Sequence, residues 1–371
     1  MNILFLDQFN SLGGAQQCLL DLLPAMREYG WSARVAIPDA GPLAAKLETM
    51  GIPTDAIRCG PYSSARKTLR DFARFAWETP LLARRIERLA VLHQARLLYV
   101  NGPRVLAAAA IAARRRRLPL IFHCHVRLGQ SAALRMAGWA LQHSKATLIG
   151  CCEFAAEPLR PYVLPRNLHV IYNGTSDFAA EDSHPAENPD LVRIGIIGRI
   201  EPDKGQLEFV QAARLLLDEF PNLRFSITGA PLFSSPAYFE AVREASKGLP
   251  FEFEGWRDNV AGAFSSLHVL AVPSAAHDPN PRVILEAFSA RVPVVAFRSG
   301  GIPEVIEDGV TGFLTAARTP QALAARLQDV LRLEPKEREQ VAANARRTWE
   351  QNYTAPRYRR QIAERIAQVL S

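Results

Sequence analysis

The residues best able to do chemistry crowd into one stretch, 270–313. Leu270-Ala-Val-Pro-Ser274 reads as a strand end. Asp278-Pro-Asn-Pro-Arg282 reads as a loop, with Pro279 and Pro281 setting the start of a short helix over Ile284–Ala290. Asp278 thus lies in the loop and Glu286 about one turn into the helix, and both carboxylates can reach one cleft from different angles. A carboxylate accepts two hydrogen bonds from vicinal hydroxyls, the pattern that sugars and ribose present. The helix start near Arg282, Val283 and Ile284 offers backbone amides to a phosphate. Gly300-Gly301, after a strand at Val292–Phe297, lets backbone approach a ligand closely.

These groups need elements to hold them. Asn2–Leu6 is a short apolar strand, Gly13-Gly14 a tight turn, and Leu19, Leu20, Leu22 and Leu23 recur at helical spacing up to Gly30. Strands are expected at Ala33–Ile37, Leu97–Val100, Leu120–His123 and Ala146–Gly150, with helical patterns between them. After a polar linker at Ser183–Pro189 the alternation restarts. Strands are expected at Leu191–Ile197, Leu223–Thr228, Phe251–Glu254, Val269–Val272 and Val292–Phe297, and helices at Leu207–Phe220 and Pro320–Leu333. Strand–helix alternation argues for parallel sheets with helices on both faces, and such sheets bind ligands at the carboxyl ends of their strands. The predicted architecture is two doubly wound α/β domains facing a cleft, 1–172 and 173–352. The amphipathic tail 353–371 is expected to return to the first domain.

Composition sets limits. The chain has 371 residues, 48% hydrophobic and 22% charged, which fits two globular domains and excludes a wholly disordered chain. No signal peptide or membrane-spanning run is expected. The five cysteines lack zinc-like spacing and read as free thiols of a cytoplasmic protein, Cys151-Cys152 included. Charge is uneven. Residues 1–172 hold 22 Lys and Arg against 11 Asp and Glu, a net of +11; the rest hold 22 against 26, a net of −4. Within 58–135 there are 16 basic residues and 3 acidic ones. Arg66–Arg96 reads as two cationic amphipathic helices. Leu69, Phe72, Phe75 and Trp77 supply apolar bulk, and Arg66, Lys67, Arg70 and Arg74 supply charge. That composition suits an anionic membrane face, at the inner side of the membrane. No module for nucleic acid is visible.

The 270–313 stretch closely resembles the nucleotide-sugar-binding region of the retaining GT-B glycosyltransferases, family 4. Its Glu, seven residues, Glu signature is matched by Asp278 and Glu286, followed by Gly300-Gly-Ile-Pro-Glu304 and Asp308-Gly-x-Thr-Gly312. Gly198-Arg199 through Lys204-Gly205 looks like the family's diphosphate motif. Val170-Ile-Tyr-Asn173-Gly174 resembles its junction turn, and Ser11-Leu-Gly-Gly14 its first glycine loop. Asp278 stands where the family usually has Glu, Arg291 where a glycine is common, and Cys152, before Glu153, where a serine is frequent.

The resemblance implies a metal-independent transferase without a cofactor, moving a sugar from a nucleoside-diphosphate donor, UDP or GDP, to a saccharide or lipid-linked acceptor. Such a reaction serves cell-surface polysaccharide or glycolipid synthesis. It implies that Arg199 and Lys204 neutralise charge on the leaving diphosphate, which Arg does as a fork and Lys as a point charge. It gives Glu286 the ribose and Asp278 the reacting sugar. Gly13, Gly14, Val283, Ile284, Gly300 and Gly301 complete the donor contacts. The first domain would take the acceptor, with His125 catalytic and His123, Asn101 and Asn173 on the sugar side. His123 and His125 are expected on opposite faces of their strand, against a joint metal site, and no metal is expected. Trp256 reads more readily as a core aromatic than as a base-stacking one, and Glu304 equally as a site residue or as a cap of the helix after it. The alternatives are a non-catalytic nucleotide-sugar or glycan-binding partner and a sugar epimerase on the same fold.

Overall fold

The computed structural model describes residues 1–59, 69–129, 131–179, 191–231, 236–257 and 259–371, and the expected linker Ser183–Pro189 lies outside them. The chain divides into two compact units, Met1–Gly174 with Ala355–Ser371, and Thr175–Thr354.

In the first unit the strands are β1 (Asn2–Asp7), β2 (Ser32–Ile37), β3 (Thr54–Ala56), β4 (Ala95–Asn101), β5 (Leu120–Cys124), β6 (Thr147–Gly150) and β7 (Leu168–Val170). They form a sheet of order β3-β2-β1-β4-β5-β6-β7, parallel throughout. Alternate residues feed two cores. Leu4, Leu6, Leu98, Val100 and Phe122 face one layer of helices. Ile3, Phe5, Leu97, Tyr99 and Ile121 face the other. Because the strands are covered on both sides, they read as continuous apolar runs. The tail helix Ala355–Leu370 belongs here: Tyr358, Ile362 and Ile366 bury against Leu19, Leu22 and Met26 of the helix Gly14–Glu28.

In the second unit β8 (Val192–Ile197), β9 (Leu223–Thr228), β10 (Phe251–Gly255), β11 (Val269–Val272), β12 (Val294–Ala296) and β13 (Phe313–Leu314) form a parallel sheet of order β10-β9-β8-β11-β12-β13. Both sheets are doubly wound, each reversing direction beside its first strand. At that reversal two neighbouring loops leave the sheet in opposite directions and open a crevice.

Three short strands, β3, β7 and β13, carry too few residues to show a period and were not expected. The helix Pro335–Asn352 was also not expected; its sequence is polar, and it buries Val341, Ala342, Ala345 and Trp349. The two cationic helices expected over 66–96 are one helix, Leu69–Leu92, with Pro80 inside it. Arg66 and Lys67 fall outside the described residues, as do the side chains of Leu69, Arg70 and Phe72. Among the described residues no helix is long and apolar enough to cross a membrane.

Candidate functional site

In the second unit the predicted residues gather at the reversal between β8 and β11. The turn after β8 carries Gly198 and Arg199. Thr228 and Ala230 hold it through the bonds Gly198 N to Thr228 O, 2.9 Å, and Ile200 N to Ala230 O, 3.0 Å. Gly229 makes this possible: a Cβ there would lie 1.8 Å from the Gly198 carbonyl. Lys204 ends a short 3-10 turn, Pro202–Lys204, and Gly205 starts the next helix in the left-handed region at φ 76°. A Cβ on Gly205 would meet the Pro273 carbonyl at 1.9 Å. The Lys-Gly pair therefore seats the turn after β8 on the loop after β11.

That seating brings charges together. Lys204 Nζ contacts Asp278 Oδ2 at 2.5 Å. Arg199 pairs with Glu201 at 2.9 Å and Asp203 at 3.4 Å, and its carbonyl accepts from Gln206 Nε2 at 2.7 Å. Glu201 and Asp203 were not singled out in the sequence, where they look like the polar filler of a turn. Each of these two cations thus already has a carboxylate partner, and an anionic ligand would have to compete with it. Glu286 sits on the helix Arg282–Ser289, 3.6 Å from Arg282. The Ile284 amide is not open to a phosphate as expected: it donates to the Pro281 carbonyl at 3.1 Å.

The glycine pair 300–301 makes a close approach within the chain itself. Gly300, at φ 59°, packs on the chain's own backbone, where a Cβ would lie 2.1 Å from the Asp278 carbonyl. Gly301 N donates to that carbonyl at 3.0 Å. Arg291 keeps the left-handed backbone, φ 58°, that makes glycine common at its position. Glu304 does not cap a following helix; it closes the 3-10 turn Ile302–Glu304. Trp256 is not core, being 45% exposed just past β10.

In the first unit a buried polar network lies at the carboxyl ends of β1, β4 and β5. Asp7 faces Asn101 in register, and Asn101 Nδ2 donates to Asp7 Oδ2 at 2.6 Å. Asn101 Oδ1 meets His125 Nε2 at 2.9 Å. Tyr99 OH meets His123 Nδ1 at 2.8 Å. Burial, then the neighbouring His125, lowers the His123 pKa well below the usual histidine value, so this 1% exposed ring is neutral. The expected opposition of the two histidines is wrong: their ring centroids lie 3.9 Å apart. Residues two apart on a strand share a face, and the chain keeps that alternation past Cys124. Among the described residues no group of His, Cys, Asp or Glu is arranged to hold a metal.

Gly13 caps the helix Gly14–Glu28 with extended backbone, and Gly14 is its first residue. Asn173 is buried and turned inward, with the Cys18 thiol donating to its Oδ1 at 3.2 Å. Its Oδ1 therefore ties the junction turn to the helix Gly14–Glu28. Cys152 takes over the serine's task, its Sγ accepting from Ala155 N at 3.4 Å, and Glu153 pairs with Arg160 on the surface. Asp7, Gln16 and Tyr99 were missed in the sequence. Asp7 alone left a signal, as the one charge ending an otherwise apolar strand.

Residues 13–174 match the family described as glycosyl transferase 4-like domain, and residues 192–332 match glycosyl transferases group 1. The D-inositol 3-phosphate glycosyltransferase of Actinosynnema mirum is 29% identical over 205 residues, 52% of this chain and 48% of that protein. The lipopolysaccharide 1,2-N-acetylglucosaminetransferase of Salmonella typhimurium is 32% identical over 158 residues, 40% of this chain and 41% of that protein. The chain thus spans less than half the length of these curated relatives. Anabaena HepE, solved in complex with UDP, superimposes with a TM-score of 0.83 at 26% identity, covering 99% of this chain and 100% of that one. The same protein is solved with UDP-glucose.

Proposed function

We propose, for a chain that belongs to the group 1 glycosyl transferases and has their GT-B fold, that it moves a sugar with retention of configuration from a nucleoside-diphosphate donor to a saccharide or lipid-linked saccharide. The observation that carries the reading is the seating of the turn after β8, which bears Arg199 and Lys204, on the loop after β11, where Lys204 meets Asp278 and the helix that bears Glu286 follows. Breaking the bond from sugar to phosphate leaves negative charge on the diphosphate. Arg199 and Lys204 meet that charge, in a site where placed cations are worth most. Asp278, released from Lys204, accepts hydrogen bonds from the transferred sugar, and Glu286 accepts them from the ribose. The first unit takes the acceptor and lends His125. The reaction needs no metal or cofactor in this reading. UDP is favoured as the nucleotide by the UDP complex of the 26% identical HepE.

The test is thermal unfolding with UDP, GDP, ADP and TDP in turn. A nucleotide at about 100 times its dissociation constant adds roughly 2.7 kcal/mol to stability. A clear shift with UDP alone is expected. No shift with any of the four at millimolar concentration would overturn the donor site and favour a non-catalytic glycan-binding partner.

The acceptor side of the proposal places the first unit on anionic lipid, at the inner face of the membrane. The helix Leu69–Leu92 presents Arg74, Trp77, Leu81, Arg84, Arg88, Val91 and Leu92 on one outward face at helical spacing. Trp77 is 76% exposed and Leu92 70%. Arg116 lines the same groove as Arg84 and Arg88. Apolar bulk beside arginine favours a bilayer carrying negative headgroups. At about 1 kcal/mol per basic residue near such a surface, the double variant Arg84→Ala, Arg88→Ala should bind anionic vesicles about 30-fold more weakly. Flotation with anionic and zwitterionic vesicles measures this; equal binding to both, or an unaffected double variant, would refute the membrane face.

A further inference from the structure

We propose that Asp7 is a positioning residue. Through Asn101 it fixes His125 as the Nε2–H tautomer, and through Gln16 it fixes the glycine loop at Gly13. Donors converge on this buried carboxylate: Phe9 N and Gln16 Nε2 on Oδ1, both at 2.9 Å, Asn101 Nδ2 on Oδ2 at 2.6 Å, and the Gln8 backbone amide. A carboxylate only accepts, so it dictates which end of each amide faces it. Gln16, with its nitrogen committed, turns Oε1 to Gly13 N at 3.2 Å. Asn101 spends its two amide hydrogens on Asp7 and on the Ala15 carbonyl, 3.1 Å away. Its oxygen is therefore the atom 2.9 Å from His125 Nε2. An amide oxygen cannot donate, so His125 Nε2 carries the hydrogen and Nδ1, in the neutral ring, carries the lone pair. Nδ1 is thus an acceptor, matched to a sugar hydroxyl and not to a carbonyl. That last step rests on the function proposed above; the tautomer does not.

Asp7 is poorly explained as a stability device. Burial pushes its pKa from 3.8 up to about 6, against the pull of its hydrogen bonds. A carboxyl raised in this way takes stability from the fold as pH rises from about 4 to 6. The titratable groups around it are His125 and His123 beyond Asn101, Tyr99, and Cys59. Burial raises that thiol to about 11, and it also feels Arg104, Glu78, Asp7 and Asp39.

Asp7→Asn keeps the shape and removes the dictation. Its oxygen must stay with Phe9 N and Gln16, so its nitrogen faces Asn101. Asn101 then either flips, losing the Ala15 carbonyl and turning its nitrogen to His125, or keeps two donors in opposition. Long-range proton–nitrogen spectra of protein labelled with ¹⁵N-histidine read the result without any substrate, with His125 assigned by its loss in His125→Gln. At pH 8 the wild type should hold His125 almost wholly as Nε2–H, and Asp7→Asn should lower that population to half or less. Release of nucleoside diphosphate from the donor should fall about 10- to 100-fold in the same variant, as expected for a misplaced group. A wild-type spectrum with Nδ1–H or a mixture overturns the proposal without recourse to the variant, and so does an unchanged tautomer in a folded Asp7→Asn. Protein that shows the tautomer but transfers no sugar would overturn the functional reading and leave the role of Asp7 standing.

Discussion

Lys204→Ala should lower kcat by about 10²–10³, the loss found when one group that stabilises transition-state charge is removed. The effect is expected to be large because Lys204 has two tasks. In the proposed reaction it supplies a point charge to the leaving diphosphate, and at 2.5 Å it neutralises Asp278 until a donor arrives. Both side chains are largely buried, so truncation leaves a carboxylate with little water around it. Leaving one partner of a buried pair costs more than the pair itself contributes. Donor binding should therefore weaken as well, since Asp278 now repels the diphosphate. Lys204→Arg should recover part of the rate, because charge is kept while the fork fits the point contact badly. The measurement is nucleoside diphosphate release from the donor, with kcat and KM separated. A kcat within threefold of wild type would remove Lys204 from the machinery and, with it, the clamp.

Gly300→Ala should destabilise the second unit by about 3 kcal/mol or more, a value reserved for backbone conflicts and lost cores. The added Cβ would stand 2.1 Å from the Asp278 carbonyl and 2.8 Å from its nitrogen, and no rotamer relieves a clash with backbone. The left-handed φ of 59° adds about 1 kcal/mol for a residue with a Cβ. For a unit of this size, 3 kcal/mol corresponds to a fall in Tm of about 6–12 °C. Gly309→Ala is the control. Its φ is 78°, but nothing lies within 4 Å of the new Cβ, so only the conformational cost applies, about 1 kcal/mol. Equal falls in Tm for the two variants would refute the close packing of Gly300 on Asp278. Nucleotide-induced stabilisation should also be lost in Gly300→Ala and kept in Gly309→Ala, because only the first displaces the loop that carries the acid.

Much of the second unit was legible because its chemistry is local. Arg199 and Lys204 are five residues apart on one turn, Asp278 and Glu286 are eight apart across a loop and a helix start, and the glycines punctuate both. Proline, glycine and charge at fixed offsets carry that information along the chain. The pairing of Lys204 with Asp278 was not legible, since 74 residues separate them and only the parallel order of β8 and β11 makes their loops neighbours. The packing of Gly300 was not legible for the same reason: a glycine announces a close approach but not the partner, here Asp278.

In the first unit the balance is reversed. Apolar alternation located β1, β4 and β5, and the histidines drew attention through their side-chain chemistry. Asp7, Gln16, Asn101 and His125 became one network only through tertiary structure. They span 118 positions, and the sheet register places Asp7 opposite Asn101. The sequence by itself determined the two doubly wound units, their family and the residue types of the turn after β8, because hydrophobic period and turn chemistry act over a few residues. The tertiary structure alone decided which charges compensate each other, which tautomer His125 carries and which backbone each glycine must admit, because hydrogen bonds and ion pairs depend on distances of about 3 Å that sequence separation does not encode.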